Sequence, residues 1–425
     1  MEETNRNTLR ITLVVVMITS FITPFMSNAI NLAIPAIGKE LGGGQTWLNW
    51  VVSSFLIPCA AFLLPFGHMA DRFGRKKIFL LGMIVHALGA LGCALAPSLP
   101  LLVLFRIVAG VGSAMVFSNS IAILTSVVPP ESRGRMLGYN SAATYVGLSL
   151  GPVLGGFLTS AISWRAIFGF NLLLALTVIV LTVWKLPGEW TGAASEKFDG
   201  LGIVLCVAAQ ALLLVGLGDL TSGAVYMVSF IAGVALLILF FWYEGRRAHP
   251  LVPVGYVAGN KPFLFANIPN FINYSATFAL SFVLSLYLQT ALGLDSATSG
   301  LILLMEPVIM ALLSPLTGAL SDKIRPQILS AVGMGISALG LGAFAFLGLK
   351  TPVALIILDL AFIGLGFALF IAPNTNAIMG SVDRSLYGLG SSMLGNMRLL
   401  GQSTSMALVS LITSALIGDL ALGSA

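Results

Sequence analysis

Charge is the first thing this sequence lacks. Only 9% of its 425 residues are Asp, Glu, Lys or Arg, against roughly 25% in a soluble globular domain. Water is therefore not the main solvent of the folded chain. Residues for chemistry are equally scarce. Three histidines and three cysteines fall at no spacing that would hold a metal ion. Cys59, Cys93 and Cys206 all lie inside apolar runs, so no disulfides are expected. No G-x-x-x-x-G-K-[ST] run occurs, so nothing supports ATP coupling through a phosphate-binding loop. No nucleophile–base pair falls within an apolar run, and the sequence does not read as an enzyme. The net charge of +5 serves orientation in a membrane better than nucleic-acid binding, and no cofactor is expected.

What remains is apolar. Hydrophobic residues make up 57% of the chain and the mean hydropathy is +0.99. Stretches of about 20 apolar residues, each long enough to cross a hydrocarbon core of about 30 Å, recur along the whole length. A helix satisfies its own backbone hydrogen bonds where lipid cannot. The expected fold class is all-α, a polytopic membrane protein. Thirteen spans are expected, at about 11–36, 47–67, 78–96, 99–127, 135–160, 166–185, 200–218, 223–243, 262–289, 297–320, 327–349, 352–374 and 386–413. The first run is too long for a signal-peptide core and reads as a retained span. With the N-terminus in the cytoplasm, sixteen Lys and Arg fall in inside segments and three outside, namely Lys39, Arg165 and Lys350. Positive charge is expected on the inside.

One stretch concentrates the missing charge. Residues 67–77, GHMADRFGRKK, hold Asp71, Arg72, Arg75, Lys76 and Lys77 between and just after Gly67 and Gly74. Residues 318–325, GALSDKIR, repeat the glycine–aspartate–base pattern with Gly318, Asp322, Lys323 and Arg325. Each copy follows a span and falls in an inside loop. Duplicated halves with a site between them are a recurring plan of secondary transporters. Glycines let two helix ends come close, and an aspartate can pair with arginines or sit at a helix N-terminus. Gly67, Asp71, Arg72, Gly74, Arg75, Asp322 and Lys323 are therefore the expected gate, clamping the two halves at their inner ends.

With these motifs the chain resembles the major facilitator superfamily, and within it the fourteen-span drug:proton antiporters. GHMADRFGRKK is similar to that family's loop between spans two and three. GLSLGPVLGG (147–156) resembles its antiporter motif in span five, and SWRAIFGFN (163–171), FDGLG (198–202) and HPLVP (249–253) resemble the fourteen-span branch. The resemblance implies two pseudo-symmetric bundles: residues 1–186 with six helices, 187–259 as a linker with two extra spans, and 260–425 with five spans seen and a fourteenth missing. It also implies alternating access, with the charged loops closed in the outward-facing state. In the antiporter motif Gly147, Gly151 and Gly155 form a ridge at every fourth position beside Gly156, and Pro152 favours a bend. That helix is expected at the seam between the halves. The branch often carries an aspartate in span one and a glutamine in span four; Met26 and Ala109 occupy those places here.

Four charged residues fall inside spans: Arg106, Glu306, Asp359 and Arg398. Such residues face cavities or one another, and low dielectric favours the neutral form of a carboxyl group, the property a proton carrier needs. The four are the candidates for proton coupling, with a structural ion pair of Arg398 and one acid as the bland reading. A lone His86 reads as satisfied packing. For the substrate cavity the candidates are Asn28, Asn31, Tyr145, Asn270, Asn273 and Tyr274, with Phe25, Phe271 and Phe278 as further stacking surfaces. The function expected is proton-coupled efflux of small amphipathic or drug-like compounds across the cytoplasmic membrane, by a monomer with small-molecule substrate, protons and the lipid bilayer as its partners. Export of one endogenous metabolite or lipid, and proton-coupled uptake, are the alternatives.

Overall fold

Backbone groups in hydrocarbon must be paired within their own segment, and the described residues accordingly form helices joined by short turns, with no strand among them. The computed structural model describes residues 2–417 except 187, 193–198, 219, 221–222 and 349–350. Lys197, Lys350 and the first residue of FDGLG lie outside the described residues. The helices run α1 Glu2–Leu41, α2 Gln45–Ala61, α3 Leu63–Phe73, α4 Arg75–Leu95, α5 Leu99–Val127, α6 Arg133–Ala161 and α7 Arg165–Lys185. Then come α8 Gly200–Gly218 and α9 Ala224–Glu244, followed by the short α10 Val254–Gly259. The rest are α11 Lys261–Thr277, α12 Leu280–Leu286, α13 Ser296–Leu303, α14 Met305–Ser321, α15 Pro326–Ala343, α16 Val353–Gly380 and α17 Tyr387–Ile417.

Eleven segments are long and apolar enough to span a membrane, and a bent pair, α2 with α3, makes a twelfth. The bend is 45°. It falls where Pro65 has no N–H to offer the Ala61 carbonyl, so the helical ladder breaks there. The thirteenth expected span, α17, is a 31-residue helix of mixed polarity. Ser391, Ser392, Asn396 and Arg398 interrupt its apolar face because that face meets the gate and a cavity. At the other end of the molecule Asp295 caps α13, accepting from Ala297 and Thr298 amides. The Thr298 hydroxyl and amide hold its carboxyl below the usual range.

Two sets of helices form, each with apolar clusters of its own and others shared between them. In the first, α1 packs on α6, and α4 on α5 and α7. In the second, α14 and α15 pack on α16, and α11 on α17. They meet along two seams, α6 against α14 and α3 with α5 against α17. The extra pair α8 and α9 lean on each other, and α8 touches α2, α3 and α17, while α9 is mostly exposed to its surroundings. The following loop is a plug. Leu251 and Val252 are buried with Cys206, Phe240, Leu64 and Leu389, and the Val252 amide donates to Glu244 Oε2 at 2.9 Å.

Candidate functional site

The aspartate of the first charged loop is buried at the first seam. Asp71 is 3% exposed at the end of α3. Across the seam it receives the amides that open α17: Gly388 N–H donates to Oδ1 at 2.9 Å and Leu389 N–H to Oδ2 at 3.1 Å. A carboxylate at a helix N-terminus meets unsatisfied donors and the positive end of the helix dipole. Arg75 completes the cluster. Its Nη2 lies 2.6 Å from Asp71 Oδ1, its Nη1 donates to Ser126 Oγ of α5 at 2.9 Å, and Nη2 donates to the Arg384 carbonyl at 2.7 Å. Close approach makes this possible. A Cβ on Gly67 would lie 2.6 Å from the Gly388 carbonyl, and one on Gly388 would lie 2.7 Å from the Asp71 carboxyl.

The second loop repeats the arrangement with the halves exchanged. Asp322, ending α14, accepts from the amides that open α6, Gly134 N–H at 2.6 Å and Arg135 N–H at 2.9 Å. Gly134 and Gly318 face each other across this seam. Each half thus caps a helix of the other. The second cap has no ion pair among the described residues. Arg72 and Lys323 stay outside both clusters: the Arg72 guanidinium stands over the Phe73 ring, and Lys323 is exposed. Gly74 takes φ +114° at the α3–α4 turn, a region that favours glycine.

A strap of residues after α7 lies over the first cap, a placement the sequence reading did not anticipate. Glu189 Oε1 accepts the Lys76 amide at 2.8 Å at the N-terminus of α4. The Trp190 carbonyl accepts the Arg75 amide, and the Gly192 amide donates to the Asp71 carbonyl. Gly192 also lies against the Ser385 backbone from the other half.

Beneath the caps a small cavity opens between the halves. Its walls come from both halves: Ile121 of α5; Asn140, Ser141, Thr144 and Tyr145 of α6; Asn270 and Tyr274 of α11; Ile371 and Thr375 of α16; Leu394 and Arg398 of α17. Arg398 is ten residues beyond Gly388, so it sits about 15 Å below the first cap, near the middle of a core about 30 Å thick. Its guanidinium lies 5.3 Å from the centre of the Tyr274 ring, which meets Phe367 edge-on. Asn270 Nδ2 donates to the Leu394 carbonyl and Ser20 Oγ donates to Asn140 Oδ1. Among the described residues the Asn270 carbonyl and the Asn140 amide nitrogen have no hydrogen-bond partner and can meet a ligand.

The cavity thus gathers Tyr145, Asn270, Tyr274 and Arg398, and leaves other expected residues elsewhere. Asn28 is turned into the α1–α6 contact, donating to the Leu148 carbonyl at 2.9 Å, and Asn31 is exposed on the outer flank of α1. Asn273 is buried off the cavity wall. Phe25 stacks on Phe21 inside the first core, and Phe278 is exposed. These assignments rested on residue type, whereas helix rotation decides which face meets the cavity.

The four intramembrane charges are also dispersed. Arg106 is 1% exposed and lies within the first half, donating to the Val51 and Val52 carbonyls with Phe55 beneath it. Met26, in the place of the aspartate the resemblance suggests, lines the same small void. His86 is held by Asn171, Ser113 and the Ala109 carbonyl. Glu306 is 8% exposed in the first turn of α14, one turn before Met310, which packs with Tyr145. Asp359 is half-buried and faces α15 near Gly340. No ion pair joins Arg398 to either acid among the described residues, so the bland reading of a structural pair is set aside.

The glycine ridge of α6 faces α1 of the same half rather than the seam. A Cβ on Gly147 would lie 2.5 Å from the Phe21 carbonyl, one on Gly151 2.8 Å from Asn28 Cβ, and one on Gly155 2.6 Å from Ala29 Cα. The α6 helix runs through Pro152 unbroken. Gly156 is different, since a Cβ there meets only Leu32 Cδ1 at 3.6 Å. Gly155→Ala is therefore expected to destabilise by about 1–3 kcal/mol through overpacking, and Gly156→Ala to stay within about 0.5 kcal/mol. Thermal unfolding of the two variants in detergent distinguishes them.

Comparison with known proteins agrees with this architecture. Residues 16–406 match the family model described as Major Facilitator Superfamily. The transporter YebQ of Escherichia coli (strain K12) is 31% identical over 90% of this chain and 84% of its own length. The riboflavin transporter RibZ of Clostridioides difficile (strain 630) is 26% identical, over 87% and 80%. A multidrug resistance protein B homolog of Mycobacterium tuberculosis is 30% identical, over 90% and 72%. Among solved structures, the human organic anion transporter MFSD10 superposes with TM-score 0.69 at 16% identity, covering 97% of this chain and 95% of that one. The proton:xylose symporter XylE gives 0.61 at 14% identity, covering 97% and 96%. At these identities the likeness is one of fold.

Proposed function

The chain belongs to the major facilitator superfamily, and on that premise we propose that it exports small amphipathic compounds across the cytoplasmic membrane in exchange for protons, by alternating access. The observation that carries the reading is a cavity walled by both halves and shut at one end by two reciprocal helix caps. Each cap joins groups that separate when the halves tilt apart, so the closed end can open without unfolding either half. Arg75, Lys76, Lys77, Arg133, Arg135, Lys323 and Arg384 surround the closed end, while Lys39 and Arg165 lie at the other. By the positive-inside rule the caps face the cytoplasm, with the N-terminus inside. In this reading the transporting unit is a monomer.

Glu306 is the residue assigned to the proton. It is buried, has no basic partner within ion-pair distance among the described residues, and stands one turn from Met310, which packs against Tyr145 of the cavity wall. Asp359 looks toward α15, away from the cavity. Purified protein in proteoliposomes with an imposed pH gradient is expected to move a fluorescent amphipathic dye along with the gradient. Glu306→Gln is expected to bring gradient-driven transport to background while leaving counterflow intact, and Asp359→Asn to leave both in place. Dye movement indifferent to the gradient, or full coupling in Glu306→Gln, would overturn the assignment.

A further inference from the structure

We propose that the cavity selects organic anions, molecules bearing a carboxylate or phosphate on a planar apolar body, and that Arg398 is the selecting residue. This rests on the transport reading above and narrows its substrate class. Among the described residues Arg398 is the one charged side chain in the cavity wall. The rest of the polar lining is neutral, made of amides, hydroxyls and two tyrosines. Glu306 and Asp359 are outside that lining, so the fixed charge presented to a ligand is positive.

The two buried arginines, Arg75 and Arg106, show what a structural arginine looks like in this protein. Arg75 is saturated by Asp71, Ser126 and the Arg384 carbonyl. Arg106 is satisfied by two backbone carbonyls and the Phe55 ring. Arg398 has the Tyr274 ring beside its guanidinium, with no ion pair or hydrogen bond to a described residue. An arginine at mid-membrane is costly unless something compensates its charge. Here the Tyr274 ring compensates part of that charge, and an anionic group entering with the ligand completes it. A guanidinium offers a planar fork of donors matched to carboxylate and phosphate, and the tyrosine face that holds its plane also provides an apolar wall for the ligand's ring. A cationic ligand would meet the same guanidinium with no counter-charge in the wall.

Matched probes separate charge from shape: naphthyl and biphenyl bodies carrying a carboxylate, a neutral amide or a methylammonium group. Binding to the full chain in nanodiscs is read by calorimetry, and movement by counterflow in proteoliposomes. The carboxylates are expected to bind about 10- to 100-fold more tightly than the amides, the range of a charge-assisted hydrogen-bond pair, and the ammonium probes more weakly still. Arg398→Gln should erase that difference, Arg398→Lys should keep its sign at reduced size, and Arg398→Glu should reverse it. Melting temperatures should stay within about 2 °C of wild type, a shift far below that of a broken core contact, because no described residue loses an ion pair. Equal affinity of wild type for carboxylate and ammonium probes, no binding of any probe, or a preference that survives Arg398→Gln would overturn the proposal. Carboxylate-selective binding without counterflow would overturn the transport reading and leave this one standing; counterflow without charge preference would do the reverse.

Discussion

Asp71→Ala is expected to reduce transport by about two orders of magnitude while leaving ligand affinity nearly unchanged. Asp71 and Arg75 have side chains 4% and 3% exposed. Removing the carboxylate leaves a guanidinium buried and unpaired and strips two amides at the start of α17 of their acceptor. Breaking a buried pair from one side costs roughly 3–5 kcal/mol. The pair itself lies within one half, but the α17 amides and the Arg384 carbonyl that bury and complete it belong to the other, so the cost falls mainly on the conformer in which this end is shut. At about 1.4 kcal/mol per factor of ten, the shut conformer becomes at least a hundredfold rarer, and the cycle passes through it. Asp71→Asn keeps the shape but loses the charge and is expected to fall between alanine and wild type. Arg75→Lys should resemble Asp71→Ala, because an ammonium cannot reach a carboxylate, a hydroxyl and a carbonyl in one fork. Lys323→Ala should change rates less than about twofold, as exposed charges generally do, and Arg72→Ala should fall well short of Asp71→Ala, since the Arg72 guanidinium stands over Phe73 and not in the cap. Initial rates in proteoliposomes at matched protein levels check all five.

Gly67→Val is expected to stop transport while the protein still folds. The first side-chain atom would lie 2.6 Å from the Gly388 carbonyl, a distance real Cβ atoms do not tolerate, and two further methyls have no room at all. The clash is between the halves, not within one, so each half can keep its own packing while the seam stays apart. Overpacking typically costs about 1–3 kcal/mol when neighbours can yield; here the neighbour is backbone, and the halves yield by not closing. Gly134→Val should do the same at the second seam, where Gly318 and the Asp322 carboxyl crowd the position. Cysteine accessibility of cavity positions from the capped side should rise in both variants, and melting temperature should change little.

Much of this was legible in the sequence, for identifiable reasons. Apolar runs fixed the spans because lipid allows little besides helices. Asp71 and Asp322 stood out because an anion contributes little to orientation and the pattern occurs twice. Their partners did not, since Gly388, Leu389, Gly134 and Arg135 contribute backbone amides, which carry no side-chain signature. Arg72 and Arg75 are indistinguishable as letters; only the turn at Gly74 sends one inward. Likewise Arg106 and Arg398 look alike in apolar runs, yet one is bound to carbonyls of α2 and the other opens on the cavity. Asn28 and Asn31 were placed by type and lost to helix rotation. The strap at Glu189–Gly192 could have been suspected from its acid lying just after α7, but its reach back to α4 is a tertiary fact.

Distances across the capped end give the most direct test. Spin labels at Lys77 and Asp383, both exposed and on opposite sides of the first seam, would be measured in nanodiscs. Two populations are expected, the shorter dominating in wild type. Asp71→Ala should shift weight to the longer one. Asp322→Ala should do so as well, although it touches only the second seam, because both caps hold the same pair of halves. A single distance unchanged by either substitution would contradict reciprocal capping as the gate.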